Sequence, residues 1–284
     1  MSINWFPGHM AKARRQIEEN LSKVDVVIEI LDARIPLSSQ NPMMNEIVKN
    51  KPRIVILNKS DLADQNMTNQ WMNYFKSIGT YPIALDARSN NVLKRIEPVA
   101  MEATEEMFKR MEARGINRRP IRAMIIGIPN VGKSTLINSL ARKKAARTGN
   151  TPGLTKSQQW IKAGNNLELL DTPGVLWPKF EGDVGLKLSL TGAITDRVVH
   201  LDEVAIFGMK FLIEHDKETF DSFYKISNYD VEIIVSVFDA IGRSRGMLMS
   251  GNEVDYEQVT NRVVYDIRNG KIGRYTFDEV NDDN

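Results

Sequence analysis

Through the first two-thirds of the chain, short apolar runs alternate with stretches whose apolar residues recur every three to four positions. Strands buried on both faces read as continuous apolar runs, so this alternation predicts a mostly parallel sheet flanked by helices. Strands are expected at 24–32, 53–58, 81–85, 122–128, 158–162 and 167–171, and helices at 9–22, 42–49, 64–78, 92–114 and 133–143. Pro98 falls in the fourth helical stretch, where it kinks or restarts the helix or sits in its first turn. Beyond residue 180 the strand signals fade, and amphipathic helices are expected at 203–215, 217–225, 232–241 and 256–269. The expected fold is an α/β domain over 1–180 followed by a small all-helical domain over 181–284.

A length of 284 residues suits two domains, and 42% hydrophobic with 26% charged residues is a soluble globular composition that excludes disorder and fibre. The chain has no cysteine, which removes disulfides, thiol catalysis and cysteine-rich zinc sites and fits a reducing, cytoplasmic setting. Its three histidines, His9, His200 and His215, are too scattered for a metal cluster. No run of 18 apolar residues occurs, and the N-terminal MSINWFPGHMAKARR places its charges after a broken apolar patch, the reverse of a signal peptide. A membrane partner is therefore not expected. Charge is divided unevenly. Residues 1–186 carry 27 Lys and Arg against 18 Asp and Glu (+9), and the remainder 11 against 18 (−7), which sum to +2. Basic residues cluster at Lys109, Arg110, Arg114, Arg118, Arg119 and Arg122, and again at Arg142, Lys143, Lys144 and Arg147. Such clusters suit a polyanion, or simply two solvated helix faces.

The strongest chemical signal is GIPNVGKS, Gly127 to Ser134, which follows an apolar strand and opens a helix. It fits the phosphate-binding loop G-x-x-x-x-G-K-[ST]. Glycines let main-chain N–H groups close around a phosphate, so Asn130, Val131, Gly132, Lys133, Ser134 and Thr135 are the expected phosphate contacts. Lys133 reaches the β- and γ-phosphates, and Ser134 offers its hydroxyl to Mg²⁺. Downstream, DTPG follows the apolar run 167–170, so Asp171 can hold Mg²⁺ through water and the Gly174 N–H can meet the γ-phosphate. Between the two motifs, 148–156 (TGNTPGLTK) is of the kind that orders around a nucleotide. Thr155 is the first choice for a second Mg²⁺ ligand, with Thr151 its competitor.

Asn58, Lys59, Ser60 and Asp61 follow the apolar run 54–57 and form N-K-x-D. An aspartate can accept from both N1–H and the 2-amino group of guanine, a pair adenine does not offer, and a site built on such bonds rejects the wrong base by about 10⁴ or more. Asn58 can hold the loop and the base edge, the Lys59 stem can lie over the ring, and the Ala87 N–H can reach the guanine oxygen. Together the three motifs point to GTP and GDP with Mg²⁺.

Phosphate loop, D-x-x-G and N-K-x-D resemble the translation-factor-type GTPases, but here the base motif precedes the phosphate loop by about seventy residues. That order is the mark of the circularly permuted GTPases. Within them, WFPGHMAKA at 5–13, DARIP at 32–36 and NKSD at 58–61 resemble the ribosome biogenesis GTPase A (RbgA/YlqF) family over nearly the whole chain. The resemblance implies a GTPase acting late in assembly of the large (50S) ribosomal subunit. It also implies contact with 23S rRNA, stimulation by the particle and a C-terminal helical domain that binds RNA; ribosomal proteins are further expected partners, and a monomer is expected off the ribosome. Asp86 departs from the serine common in relatives. The −7 charge of 187–284 is opposite to what RNA wants, leaving Arg243, Arg245, Arg262, Arg268, Lys271 and Arg274 to supply a local basic face, or else an acidic surface for protein contact.

Val175 stands where Ras-like GTPases place the water-orienting glutamine, and it can neither donate nor accept a proton. His9, in the family's F-P-G-H-M motif, is the candidate replacement; capping of the first helix or an RNA contact is the competing role. In potassium-stimulated relatives an asparagine matching Asn130 helps hold K⁺ beside the phosphates, and a loop-closing hydrogen bond is the alternative there. Competing functions are a GTPase acting on tRNA modification or a protein partner, and a guanine-nucleotide binding module with little hydrolysis.

Overall fold

The computed structural model describes residues 7–48, 51–141, 160–172, 174, 176–177, 180–196 and 199–280, and in the first helix the side chains from Arg14 onward. The chain forms two compact units, Met1–Phe180 with Asp278–Asn284, and Glu181–Phe277. The last residues thus join the α/β unit rather than the helical one, a departure from the expected boundary.

The α/β unit runs α1(Pro7–Leu21), β1(Val26–Asp32), α2(Pro42–Val48), β2(Arg53–Asn58), α3(Gln65–Ser77), β3(Tyr81–Leu85), α4(Val92–Glu112), β4(Ile121–Ile126), α5(Lys133–Ala141), β5(Trp160–Ala163) and β6(Leu167–Asp171). The six strands lie in the order β3-β2-β1-β4-β6-β5. The first five are mutually parallel, and β5 forms an antiparallel edge hairpin with β6. Every residue of β1 is buried, as a central strand covered on both faces must be. Its mid-strand acid, Glu29, pairs with Arg53 of β2, whose Nε lies 2.7 Å away. One cluster packs Ile17, Val24, Val27, Met44, Val48, Met124, Ile126 and Leu170, and a second packs Leu31, Val55, Leu57, Trp71 and Phe75; strand alternation puts Val27 and Leu31, and so the two clusters, on the same face of the sheet.

Parallel pairing has a functional consequence. The loops after β1, β2, β3, β4 and β6 all emerge at the carboxyl edge of one sheet, whatever their order along the chain. Strand β4 ends at Ile126, two residues earlier than its apolar run suggests, because Gly127 already belongs to the phosphate loop. Helix α4 passes through Pro98 as one element, so the proline neither restarts the helix nor occupies its first turn.

The second unit holds α6(Val184–Leu190), α7(Leu201–Tyr224), α8(Ile234–Arg245) and α9(Tyr256–Arg268). Its core joins Leu188, Leu190, Val204, Met209, Leu212, Phe220, Val237, Ile241, Val259 and Val263. Two helices expected at 203–215 and 217–225 form the single α7, broken internally at Asp216 (φ −156°, ψ 60°). Helix α6 was not expected, since seven residues are too few to display a helical period. Among the described residues, no helix is long and apolar enough to cross a membrane.

Candidate nucleotide-binding site

The sheet's carboxyl edge brings the separate motifs together. Asn58, the last residue of β2, is buried and spans two loops. Its Nδ2 donates to the Val131 carbonyl at 2.6 Å, and its Oδ1 accepts from the Ala87 N–H at 2.9 Å. One side chain therefore connects the base motif, the phosphate loop and the loop after β3. The Ala87 carbonyl in turn accepts from Ser139 of α5 at 2.5 Å. The Ala87 N–H, expected to meet the guanine oxygen, is engaged by Asn58 instead, and this bond locks the loop.

Lys59 has a left-handed backbone (φ 58°), and its Nζ donates to Asp32 Oδ2 at 2.8 Å. Asp32 closes β1 with its carboxylate fully buried, and Arg34 grips it through Nε at 2.9 Å and Nη2 at 2.7 Å. Burial alone would raise the Asp32 carboxyl, but Arg34 and then Lys59 outweigh it and hold it well below the ordinary carboxylate range. The main-chain N–H of Asp32 donates to Ser39 Oγ at 3.0 Å. The neighbouring Ser38 gives both its N–H and its Oγ–H to the Asp278 carboxylate, each at 2.7 Å. This Asp32, Arg34 and Ser39 support for Lys59 was missed from sequence, where DARIP carried only a resemblance. An aspartate closing the strand beside N-K-x-D was the available signal.

Asp61 accepts from Arg88 Nη2 on Oδ2 at 2.7 Å, while its Oδ1 is buried without a hydrogen-bond partner. The phosphate loop is shaped by close backbone approach. A Cβ at Gly132, whose φ is +103°, would fall 2.2 Å from Asn58 Nδ2. One at Gly174 would fall 3.1 Å from the Pro129 main-chain nitrogen, so Gly174 of DTPG lies against the phosphate loop itself. Asn130 has φ 58°, and Val131 is buried. Lys133, the first residue of α5, is buried with its Nζ 3.5 Å from Asp171 Oδ1; Ser134 and Thr135 follow in the same turn. Thr172 Oγ1 donates to the Ile125 carbonyl at 2.6 Å and pins the end of β6 to β4.

A hydroxyl and one carboxylate are hard oxygen donors suited to Mg²⁺, which is commonly held by one or two protein groups together with substrate phosphates. No group of three or more His, Cys, Asp or Glu that could hold a metal occurs among the described residues. A polar cleft of about 340 Å³ beside Arg88 is lined by Ser89, Lys94 and Ser139, not by the phosphate loop. His9 falls by its backbone in the first turn of α1, and its side chain lies outside the described residues. Thr155, Thr151, the segment 148–156, Val175 and the basic cluster 142–147 also lie outside them.

The basic run 109–122 is largely committed internally. Arg119 pairs with Asp25 (2.6 Å), Arg122 with Glu168 (3.4 Å) and Lys109 with Glu105 (2.8 Å), and Arg118 lies over the Phe108 ring. In the helical unit Arg262 pairs with the buried Asp266 at 2.7 Å, Arg268 pairs with Asp196, and Arg245 lies over Phe223 and Tyr224.

Residues 122–248 match the model of a protein family described as 50S ribosome-binding GTPase. The match begins at β4 and leaves the Asn58 motif upstream, as a permuted order requires. The chain is 54% identical to ribosome biogenesis GTPase A of Priestia megaterium, over 98% of this chain and 97% of the relative. It is 32% identical to the protein of that name from Thermotoga maritima, over 99% and 95%. The crystal structure of GNP-bound YlqF from T. maritima superposes with a TM-score of 0.64 at 28% identity, covering 94% of this chain and 98% of that one. With a P-loop, a D-x-P-G and an N-K-x-D gathered on one sheet edge, and full-length identity above one half, this chain is a GTPase and belongs to the ribosome biogenesis GTPase A family.

Proposed function

We propose that the protein is a GTP-driven switch for late assembly of the 50S subunit: it docks with GTP on an immature particle, contacts 23S rRNA and is released on hydrolysis. The observation that carries this reading is the bridge from Asn58 to Val131 and Ala87, which joins base reading to phosphate binding across three loops. Asp61 takes the guanine edge, the Lys59 stem is held over the ring by Asp32, and the main-chain N–H groups of 130–135 and Gly174 surround the phosphates. Lys133 offsets charge on the β- and γ-phosphates. Ser134 and Asp171, with Thr155 as a further ligand, would hold Mg²⁺, which would supply charge neutralisation at the phosphates. His9 orients the attacking water in place of the missing glutamine, and Asn130 would help to hold K⁺, which would offset charge developing on the phosphates.

The committed state of Arg245, Arg262 and Arg268 favours a second reading for the helical unit, docking through its acidic surface to a protein; Arg243, Lys271 and Arg274 remain its basic positions. The deciding experiment is GTP turnover by the full chain in potassium buffer, alone and with 50S subunits. Slow basal turnover that rises at least tenfold with 50S is expected, with His9→Ala lowering kcat far more than GTP affinity and Na⁺ for K⁺ lowering the rate. Unchanged turnover with 50S would refute docking on that particle.

A further inference from the structure

We propose that Arg88 is a specificity-determining positioning residue, which fixes the Asp61 carboxylate so that guanine is selected through both of its donors. This rests on Asp61 being the base acceptor. Arg88 lies in the loop after β3, three residues beyond the strand, and is itself anchored by Asp86. Its N–H and Nε both donate to Asp86 Oδ1 at 2.9 Å, and Nε reaches Oδ2 at 3.2 Å. The far end of the same guanidinium, Nη2, donates to Asp61 Oδ2 at 2.7 Å. A planar guanidinium held at one end has a fixed direction at the other. It therefore sets the carboxylate's rotation about a bond that is otherwise broad and nearly two-fold in its preference.

The two oxygens of Asp61 are thereby made different. Oδ2 is tied to Arg88, and Oδ1 is buried without a partner, an acceptor whose need only a donor on the ligand can meet. A carboxylate is an acceptor, which suits N1–H and the 2-amino group of guanine and opposes the 2-oxo group of xanthine. Burial would raise the Asp86 carboxyl, but its bonds to Arg88 outweigh that and hold it low, so the anchor is itself ionised. Asp86, the departure from the common serine, thus aims the arginine that aims the aspartate.

The Arg88 side chain is 65% exposed, so its ion pairs add little to stability. A binding effect is therefore separable from a folding effect. The test measures equilibrium affinity of the full-length chain for GDP, inosine diphosphate (which lacks the 2-amino group) and xanthosine diphosphate. Arg88→Ala is expected to weaken GDP about tenfold and inosine diphosphate about twofold, so that the preference between them falls about fivefold. Its Tm should move by no more than about 2 °C. Arg88→Lys keeps the charge without the fork and stays deficient, and Asp86→Ala shifts the preference the same way by less. A parallel loss for both nucleotides, or an unchanged preference, would overturn the assignment. Asp61→Ala keeps the two failures apart: a guanine-over-inosine preference that survives it refutes base reading by Asp61. A preference lost in Asp61→Ala but intact in Arg88→Ala refutes the role of Arg88 alone.

Discussion

Around Asn58, Asp61 and Lys59 the site is made of side chains, each held by another side chain or by a distant loop. Around Gly132 and Gly174 it is made of main chain, and what shapes it is the lack of a Cβ. The base side is thus aimed through a wired lattice in which Asp32, Arg34, Asp86 and Arg88 orient the residues expected to touch the base. The described part of the phosphate side shows steric fit and a longer pair, Lys133 with Asp171 at 3.5 Å. A base is discriminated by direction, and direction needs anchored side chains. A phosphate asks for many donors at close range, which main-chain N–H groups supply best.

The comparison can be broken most severely at Gly132. Gly132→Ala forces a Cβ to 2.2 Å from Asn58 Nδ2 in a backbone conformation that L-residues rarely adopt. The expected cost is about 3 kcal/mol or more, seen as roughly a hundredfold loss of GDP affinity by titration. Near-normal affinity would show that the phosphate loop is not governed by fit. Next in size is Asn58→Ala, which strands the Val131 carbonyl and the Ala87 N–H at about 1–3 kcal/mol each. Because Asn58 ties both sides together, kcat and nucleotide affinity should fall together, by about ten- to a hundredfold. A loss confined to affinity would separate the two sides.

The smallest change in what is read out, a slope with pH, concerns acid stability. The Asp32 carboxyl is held below its ordinary value, so its ion pairs stabilise the fold above an ordinary carboxylate pKa of about 4, and this contribution is lost as pH falls toward the lower folded value. Thermal melts between pH 6 and pH 3 should therefore decline less steeply for Asp32→Asn than for the parent chain. The variant itself starts about 3–5 kcal/mol less stable, since Arg34 and Lys59 lose their buried partner. Equal slopes would remove Asp32 from the base-side lattice.

The same contrast explains what the sequence made legible. Five parallel strands ending in GIPNVGKS, DTPG and NKSD could be placed from apolar runs and short motifs, because strands covered on both faces are nearly unbroken in hydrophobicity. Glycine positions could be read too, since a backbone requirement is written in a single residue type. The lattice behind the base could not. Arg88 and Asp61 are 27 residues apart, as are Lys59 and Asp32, and no local pattern announces such pairings. Pairings within the basic run at 109–122 were hidden for a similar reason: Arg119 lies beside Asp25, 94 residues away. Helix α6 left too short a trace, and the separate helices expected on either side of residue 216 became one element with a local break.

The contact between Ser38 and Asp278 spans 240 residues, and the Trp71 indole N–H reaches the Asp278 carbonyl at 3.3 Å while Val280 packs on the same cluster. During synthesis the first unit therefore waits. Its sheet can assemble early, but the loop beside Asp32 is not closed until the whole helical unit has been made and the chain has returned. A chain cut short before Asp278 would leave the two Ser38 donors and the Trp71 indole N–H without these partners. The loop that follows Asp32 is thus completed by residues that lie beyond the helical unit in the chain.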